Sequence, residues 1–369
     1  MRPEGPVDEG ERLRILHVVD HVRNVGNGIV NVVVDLACAQ SAAGDEVGIA
    51  SAGGDYEPLL RTHGVRHHQV VREDSPTGRA RLVRRLGGVI REVRPDVLNA
   101  HRPYATVAGR LLRPLHRSAL IATDHNEFEA KGRWLRLADL IIAVSEGAAG
   151  SLAGGGVDRE RIRVVQNGPL FGARRSLVAE SERAPLERPA IVTVAGLVER
   201  KGVHVLLAAF EIVAASNPEV HLYFVGDGPE RAALEEKRRA SAFAGRIHVE
   251  GFRPDPGAHL RGADVFVLAS FRDPFPLAVL EARGAGCAVV VTSVDGLPEA
   301  VDGGHAGIIV PPGDADTLAA ALRSLFACDG ELARWRERAS CDLGRFSTER
   351  MARDTADVYR EALARLRAR

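Results

Sequence analysis

At 369 residues the chain is long for a single hydrophobic core, so two domains are expected. Hydrophobic residues make up 45% and 49 basic residues balance 49 acidic ones, an ordinary globular composition with no global pull toward nucleic acid. No run approaches the roughly 18 apolar residues of a membrane span, and the polar lead-in over 1–12 lacks the apolar stretch of a signal peptide. A cytoplasmic protein is expected, peripheral to the inner face of the membrane at most.

Leu13–Asp20 is an apolar strand, followed by the glycine loop Gly26-Asn27-Gly28 and a helix whose Ile29, Val32, Val33, Leu36 and Ala37 recur at helical spacing. Strand, glycine turn and helix N-terminus form an anion-receptive unit, because unpaired N–H groups and the helix dipole face the loop. A tight turn without a ligand is the alternative. Strands over 46–51, 65–71, 96–101, 119–124 and 138–145 alternate with helices from about 76 to 93 and 104 to 115. That alternation argues a parallel sheet covered on both faces. His101 and His125 stand at two strand ends, where a doubly wound sheet opens its crevice. From Arg79 to Arg117 ten arginines face only Glu92 and Asp96 as acids. They read as solvated helix faces with Leu and Val packing inward, or as a basic surface for an anionic membrane or acceptor. Arg161–Leu170 is a strand ending in Asn167-Gly168, and 171–189, without apolar periodicity, reads as a linker.

A second domain opens at Ala190–Phe210 with strand, glycine loop and helix. Lys201-Gly202 falls at the loop–helix junction, where an ammonium group can neutralise a diphosphate. Val220–Glu230 runs into Gly226-Asp227-Gly228, but Arg231 stands where a dinucleotide fingerprint needs its third glycine, which disfavours a nicotinamide dehydrogenase. Ile247–Phe252 is the next strand end. Between the apolar runs Ala263–Ser270 and Cys287–Ser293, Asp273 precedes Glu281 by eight residues. Strand, acidic loop, short helix and strand make one βαβ unit, with Asp273 in the crevice and Glu281 about two turns into the helix. Asp314-Ala315-Asp316 follows Pro311-Pro312-Gly313 and precedes a helix, so it reads as an N-cap with a first-turn acid and implies no metal. Helices from about Glu331 to Leu343 and from Thr348 onward close the chain. Four scattered cysteines, Cys38, Cys287, Cys328 and Cys341, form no CxxC pair and read as reduced, mostly buried residues.

The stretch with Asp273, Glu281-Ala282, Gly286, Val289-Val290 and Gly296-Leu297-Pro298-Glu299 resembles the acidic motif of retaining glycosyltransferases of family 4. The first acid here is Asp where Glu is commoner, and Gly196 stands where relatives carry an arginine before Lys201-Gly202. The resemblance implies two facing, doubly wound Rossmann-like domains (the GT-B fold) over 13–170 and 190–346, with the helix at 347–369 returning to the first domain. It implies a retaining glycosyltransferase that uses a UDP- or GDP-sugar, no cofactor and no required metal. The acceptor would be an envelope glycan or lipid, or a natural product such as an aminocyclitol.

Carried onto this sequence, the resemblance makes His125, Lys201 and Asp273 catalytic. Donor contacts fall to Asn27, Gly28, Gly196, Arg200, Lys201, Gly226, Gly228, Phe252, Asp273, Phe275, Pro276, Leu277 and Glu281. Glu281 would hold the ribose hydroxyls, since a carboxylate accepts two such bonds. His21 and His101 are candidates for the acceptor side. An epimerase of the same fold and a non-catalytic nucleotide-sugar-binding protein are the alternatives.

Overall fold

The computed structural model describes residues 12–125, 130–177 and 183–368. Most of the lead-in, part of the expected linker and the residues just after His125 lie outside them. The chain divides into two compact units, Met1–Leu177 with Phe346–Arg369, and Val178–Arg345.

The first unit is built on seven strands: β1 (Arg14–Val18), β2 (Glu46–Ser51), β3 (Arg66–Gln69), β4 (Val97–Ala100), β5 (Ala119–Asp124), β6 (Leu140–Ala143) and β7 (Ile162–Val164). Their spatial order is β3-β2-β1-β4-β5-β6-β7, every pair parallel. The central strands are buried along their whole length, as expected for a parallel sheet covered on both faces. The helix Pro76–Val93 shows how sequence and packing agree. Ser75 caps its first turn by accepting from the Gly78 N–H, and Leu82, Leu86 and Ile90 recur every four residues on the buried face.

The expected strand over Arg161–Leu170 is shorter in the structure. Beyond Val164 the backbone finds other partners: the Leu170 N–H donates to the Phe346 carbonyl, and the Thr348 N–H and hydroxyl donate to the Leu170 and Gly168 carbonyls. Here the chain returns to the first unit, and the helix Thr348–Arg367 packs there as expected, with Tyr359 fully buried and Glu361 held by Arg163 of β7.

The second unit has six strands: β8 (Ala190–Val194), β9 (His221–Val225), β10 (Ile247–Gly251), β11 (Val265–Leu268), β12 (Ala288–Thr292) and β13 (Ile308–Val310). Their order, β10-β9-β8-β11-β12-β13, repeats the doubly wound pattern. Phe210, Phe224, Val267 and Val290 lie in its core. Helices Glu57–Thr62, Glu146–Gly154, Arg231–Ala240 and Gly257–Gly262 were not evident from periodicity, because each is short and buries at most three side chains. No helix among the described residues is long and apolar enough to cross a membrane.

In both units the winding reverses at one place, between β1 and β4 and between β8 and β11. Loops leaving the carboxyl ends of those neighbouring strands flank a crevice, the usual ligand position in such sheets.

Candidate functional site

In the second unit the loops after β8 and β11 bring Lys201 and Asp273 together. Lys201 ends a turn of 3₁₀ helix, Glu199–Lys201, and its ammonium is ion-paired with the Asp273 carboxylate. The side chains are only 13% and 6% exposed, so the pair sits where water screens charge weakly. The Ser270 hydroxyl also donates to Asp273, at 3.2 Å. The Asp273 N–H donates to Asp295 at 2.8 Å, and Asp295 in turn binds the Arg272 guanidinium at 3.1 Å. The two loops are laced by their backbones: the Phe271 N–H donates to the Arg200 carbonyl at 2.8 Å, and the Arg200 guanidinium to the Arg272 carbonyl at 3.2 Å. Arg200 is thereby held beside the pair.

Directly after Asp273, the helix Leu277–Gly284 starts at Pro276, which offers no side-chain cap. Its first N–H groups lack an intrahelical partner and form a ready anion site. Phe275, Pro276 and Leu277 are buried and hold that helix end in place. Glu281 is the fifth helical residue, one turn in rather than the expected two, because the helix starts only at Leu277. The helix Val203–Ala214 likewise begins without a side-chain cap, at Gly202.

The Gly226-x-Gly228 pair has a packing cause. A Cβ on Gly226 would lie 1.9 Å from the Ala195 carbonyl oxygen, and one on Gly228 2.4 Å from that of Leu197. These glycines let the loops after β9 and β8 touch. Gly196 is under no such constraint, the nearest atom to a Cβ there being 3.9 Å away. Phe252, just after β10, is exposed.

In the first unit Asn27 caps the helix Gly28–Ala42, its side chain accepting from the Ile29 N–H at 3.0 Å, and the positive φ of the loop falls on Gly26. Gly28 has open space around it. His21 is half-buried in the loop after β1, where its Nδ1 accepts from the Arg23 N–H. His101 corrects an expectation. It is 2% exposed and both ring nitrogens are taken, by His17 and by His125 at 2.9 Å each, so it cannot reach an acceptor. His125 is partly buried at the end of β5. His17 and Gln40, which complete this chain at 2.8 Å, are the residues that sequence reasoning missed. The available signal was one polar residue inside the apolar run of β1. Burial holds the His17 imidazole down to about 4 and His101 well below its ordinary value, while burial and the Arg102 charge bring His125 to about 3. All three are neutral near pH 7.

Residues 188–328 match the family described as glycosyl transferases group 1, and residues 26–168 match glycosyltransferase family 4. The lipopolysaccharide core biosynthesis glycosyltransferase LpsE of Rhizobium meliloti is 30% identical over 277 residues, spanning 74% of this chain and 77% of the relative. The chain belongs to the group 1 glycosyltransferases. The glycogen synthase of Mycobacterium tuberculosis is 31% identical over 304 residues, spanning 74% of this chain and 70% of that protein. Among solved structures, Anabaena HepE in complex with UDP and glucose superposes with a TM-score of 0.76 at 21% identity, covering 94% of this chain and 99% of its own. That likeness identifies the GT-B fold.

Elsewhere in this glycosyltransferase, Glu187, His221 and His248 come close enough to suggest a metal site. His221 bonds His248 through Nδ1 at 3.1 Å and faces Glu187 through Nε2 at 3.4 Å, so its two partners occupy opposite ring nitrogens. The trio also sits at the amino ends of β9 and β10, away from the crevice. Asp314 caps the helix Ala315–Phe326 by accepting from the Thr317 N–H, as the sequence predicts. Cys38 and Cys287 are buried, their thiols pushed up to about 12, whereas Cys328 and Cys341 are exposed, against the expectation of mostly buried thiols.

Proposed function

We propose that this glycosyltransferase takes a sugar from a uridine diphosphate sugar, with retention of configuration, and places it on a hydroxyl of an envelope glycan or lipid. The Lys201–Asp273 pair beside the uncapped start of Leu277–Gly284 carries the donor assignment. A departing nucleoside diphosphate gathers negative charge and is met by fixed cations and N–H donors rather than by a general acid. Lys201, with Arg200 beside it, would meet the diphosphate. Asp273 would then turn from the ammonium toward the sugar, and Glu281 would hold the ribose. The acceptor hydroxyl would attack on the face the diphosphate leaves and give its proton to a departing phosphate oxygen. No step calls on a metal, so chelation would leave the rate unchanged. The UDP bound by Anabaena HepE supports uridine, and the lipopolysaccharide role in the name of LpsE supports an envelope acceptor.

Calorimetry with UDP and GDP, followed by incubation with UDP-sugars, tests this reading. UDP binding with slow release of free sugar is expected. GDP binding alone would reassign the base, epimerised donor would indicate an epimerase, and binding without any turnover would indicate a non-catalytic protein.

A second observation favours contact with an anionic lipid surface. Leu111 and Leu115 are 64% and 48% exposed, against the expectation that leucines here pack inward, and they line a groove with Arg79, Arg84 and Arg91. Leucines among arginines suit the boundary between lipid headgroups and acyl chains. Co-sedimentation with vesicles containing phosphatidylglycerol, abolished by Leu111→Glu with Leu115→Glu, checks it.

A further inference from the structure

His17, His101 and His125 rise in a staircase across three adjacent strands of the first unit. His17 on β1 is level with Asn99 on β4, which is level with Ile121 on β5. His101 lies two residues beyond that level and His125 four, so an even spacing puts all three on one face of the sheet. Their rings stack at centroid separations of 5.2 Å and connect head to tail, each Nδ1 facing the next Nε2 at 2.9 Å.

A neutral imidazole has one N–H and one lone pair. In a buried line of three, all protons must therefore sit on Nε2 or all on Nδ1, since any mismatch sets two donors or two lone pairs face to face. The direction is decided at the inner end by Gln40, 1% exposed. With its amide oxygen toward His17 at 2.8 Å, Gln40 Nε2 is buried without a hydrogen-bond partner. A half-turn of the amide removes that orphan: Nε2 then donates to His17 Nε2, and the oxygen faces the Tyr359 hydroxyl, which adjoins this amide. Behind it the Asn99 amide donates to the Tyr359 oxygen at 2.7 Å, and the Thr123 hydroxyl donates to Asn99 at 2.9 Å. Every donor in the row then points the same way. Thr123 donates to Asn99, Asn99 to Tyr359, Tyr359 to Gln40, Gln40 to His17, His17 to His101 and His101 to His125.

We infer that this buried row fixes His125 as its Nδ1–H tautomer, so that His125 donates a hydrogen bond to an oxygen of the sugar substrate. Its Nδ1 has no hydrogen-bond partner among the described residues. Tyr359, Gln40, His17 and His101 are positioning residues in this scheme, acting through His125. The substrate half of the inference rests on the donor reading above, whereas the tautomer does not.

Nitrogen-15 correlation spectra of the full chain labelled at histidine decide the tautomer, with the His125→Asn spectrum giving the assignment. Wild type should show a protonated, pyrrole-type Nδ1 and a pyridine-type Nε2 at His125. The reverse pattern, or a mixture, would overturn the inference. His101→Phe and the gentler Gln40→Met, each checked for an unchanged fold by thermal melting, should turn His125 into a mixture of tautomers. A His125 that keeps Nδ1–H in both variants would show that the row does not set it. His101→Phe should also weaken UDP-glucose binding about three- to tenfold, the range of one neutral hydrogen bond, while UDP, which lacks the transferred glucose, binds unchanged. Equal loss for both ligands would point to a merely structural role. Failure of wild type to bind UDP would sink the donor reading and leave the tautomer result standing.

Discussion

The two units place opposite chemistries at the same point of the same topology. Where the winding reverses in the first unit, the polar groups are neutral and joined in a line of hydrogen bonds between Gln40 and His125. At the reversal in the second unit they are ionic: Lys201 on Asp273, and Asp295 between Arg272 and the Asp273 N–H. Topology offers the crevice and says nothing about its charge. A charged site suits a diphosphate that gains charge as it leaves, whereas a neutral one suits hydroxyls whose charge does not change.

The sharpest way to break this contrast is Lys201→Ala, expected to lower turnover by roughly 10²–10³-fold, as for loss of one stabilising donor. Near-normal kinetics with UDP-sugar would remove the ammonium from the chemistry. Acid tests the neutral side. His17 and His101 titrate far lower in the fold than in the unfolded chain, where their value is near 6.5. As pH falls below 6.5 the unfolded state takes up protons that the folded state refuses. Stability should therefore drop by up to about 1.4 kcal/mol per pH unit for each histidine, until the folded values are reached. Urea unfolding read at Trp134 in a Trp335→Phe background follows the first unit. A flat profile from pH 6.5 to 5 would contradict a neutral, buried row. Tyr359→Phe removes the hydroxyl that accepts from Asn99 and, in the row inferred above, donates to Gln40, so it should cost that unit about 2 kcal/mol, two hydrogen bonds, in the same measurement. Arg272→Ala is the smallest change. Its pair with Asp295 is 44% exposed on the arginine side, so the loss should stay below about 1 kcal/mol and shrink further in salt.

The sites differed in how far they could be read in advance. Asp273, the start of Leu277–Gly284 and Glu281 lie within nine consecutive positions between two apolar strand runs, so the local string places them on one loop and helix. Lys201 was legible from its junction with Gly202. Asp295 was not, because nothing local shows that its carboxylate reaches back 22 residues to the Asp273 N–H. The histidine row was less legible still. Its members come from three strands or their ends and from two helices, and the strand-end position of His101 points to the acceptor side although the residue is buried. Arg283 makes the same point: wholly buried, it is satisfied by the Ala300, Ala339 and Cys341 carbonyls and by Asp302, partners from distant segments.

The sequence by itself determined the alternation of apolar strands and amphipathic helices, the division into two doubly wound units and the acidic loop. These follow from local periodicity and from motifs within one turn or loop. Only the tertiary structure decided which way each polar side chain turned. It paired Lys201 with Asp273, withdrew His101 from the surface and brought Tyr359 to Asn99. Those outcomes depend on strand register and on the return of Thr348–Arg367 to the first sheet, where burial leaves each polar group to find its partner across the fold.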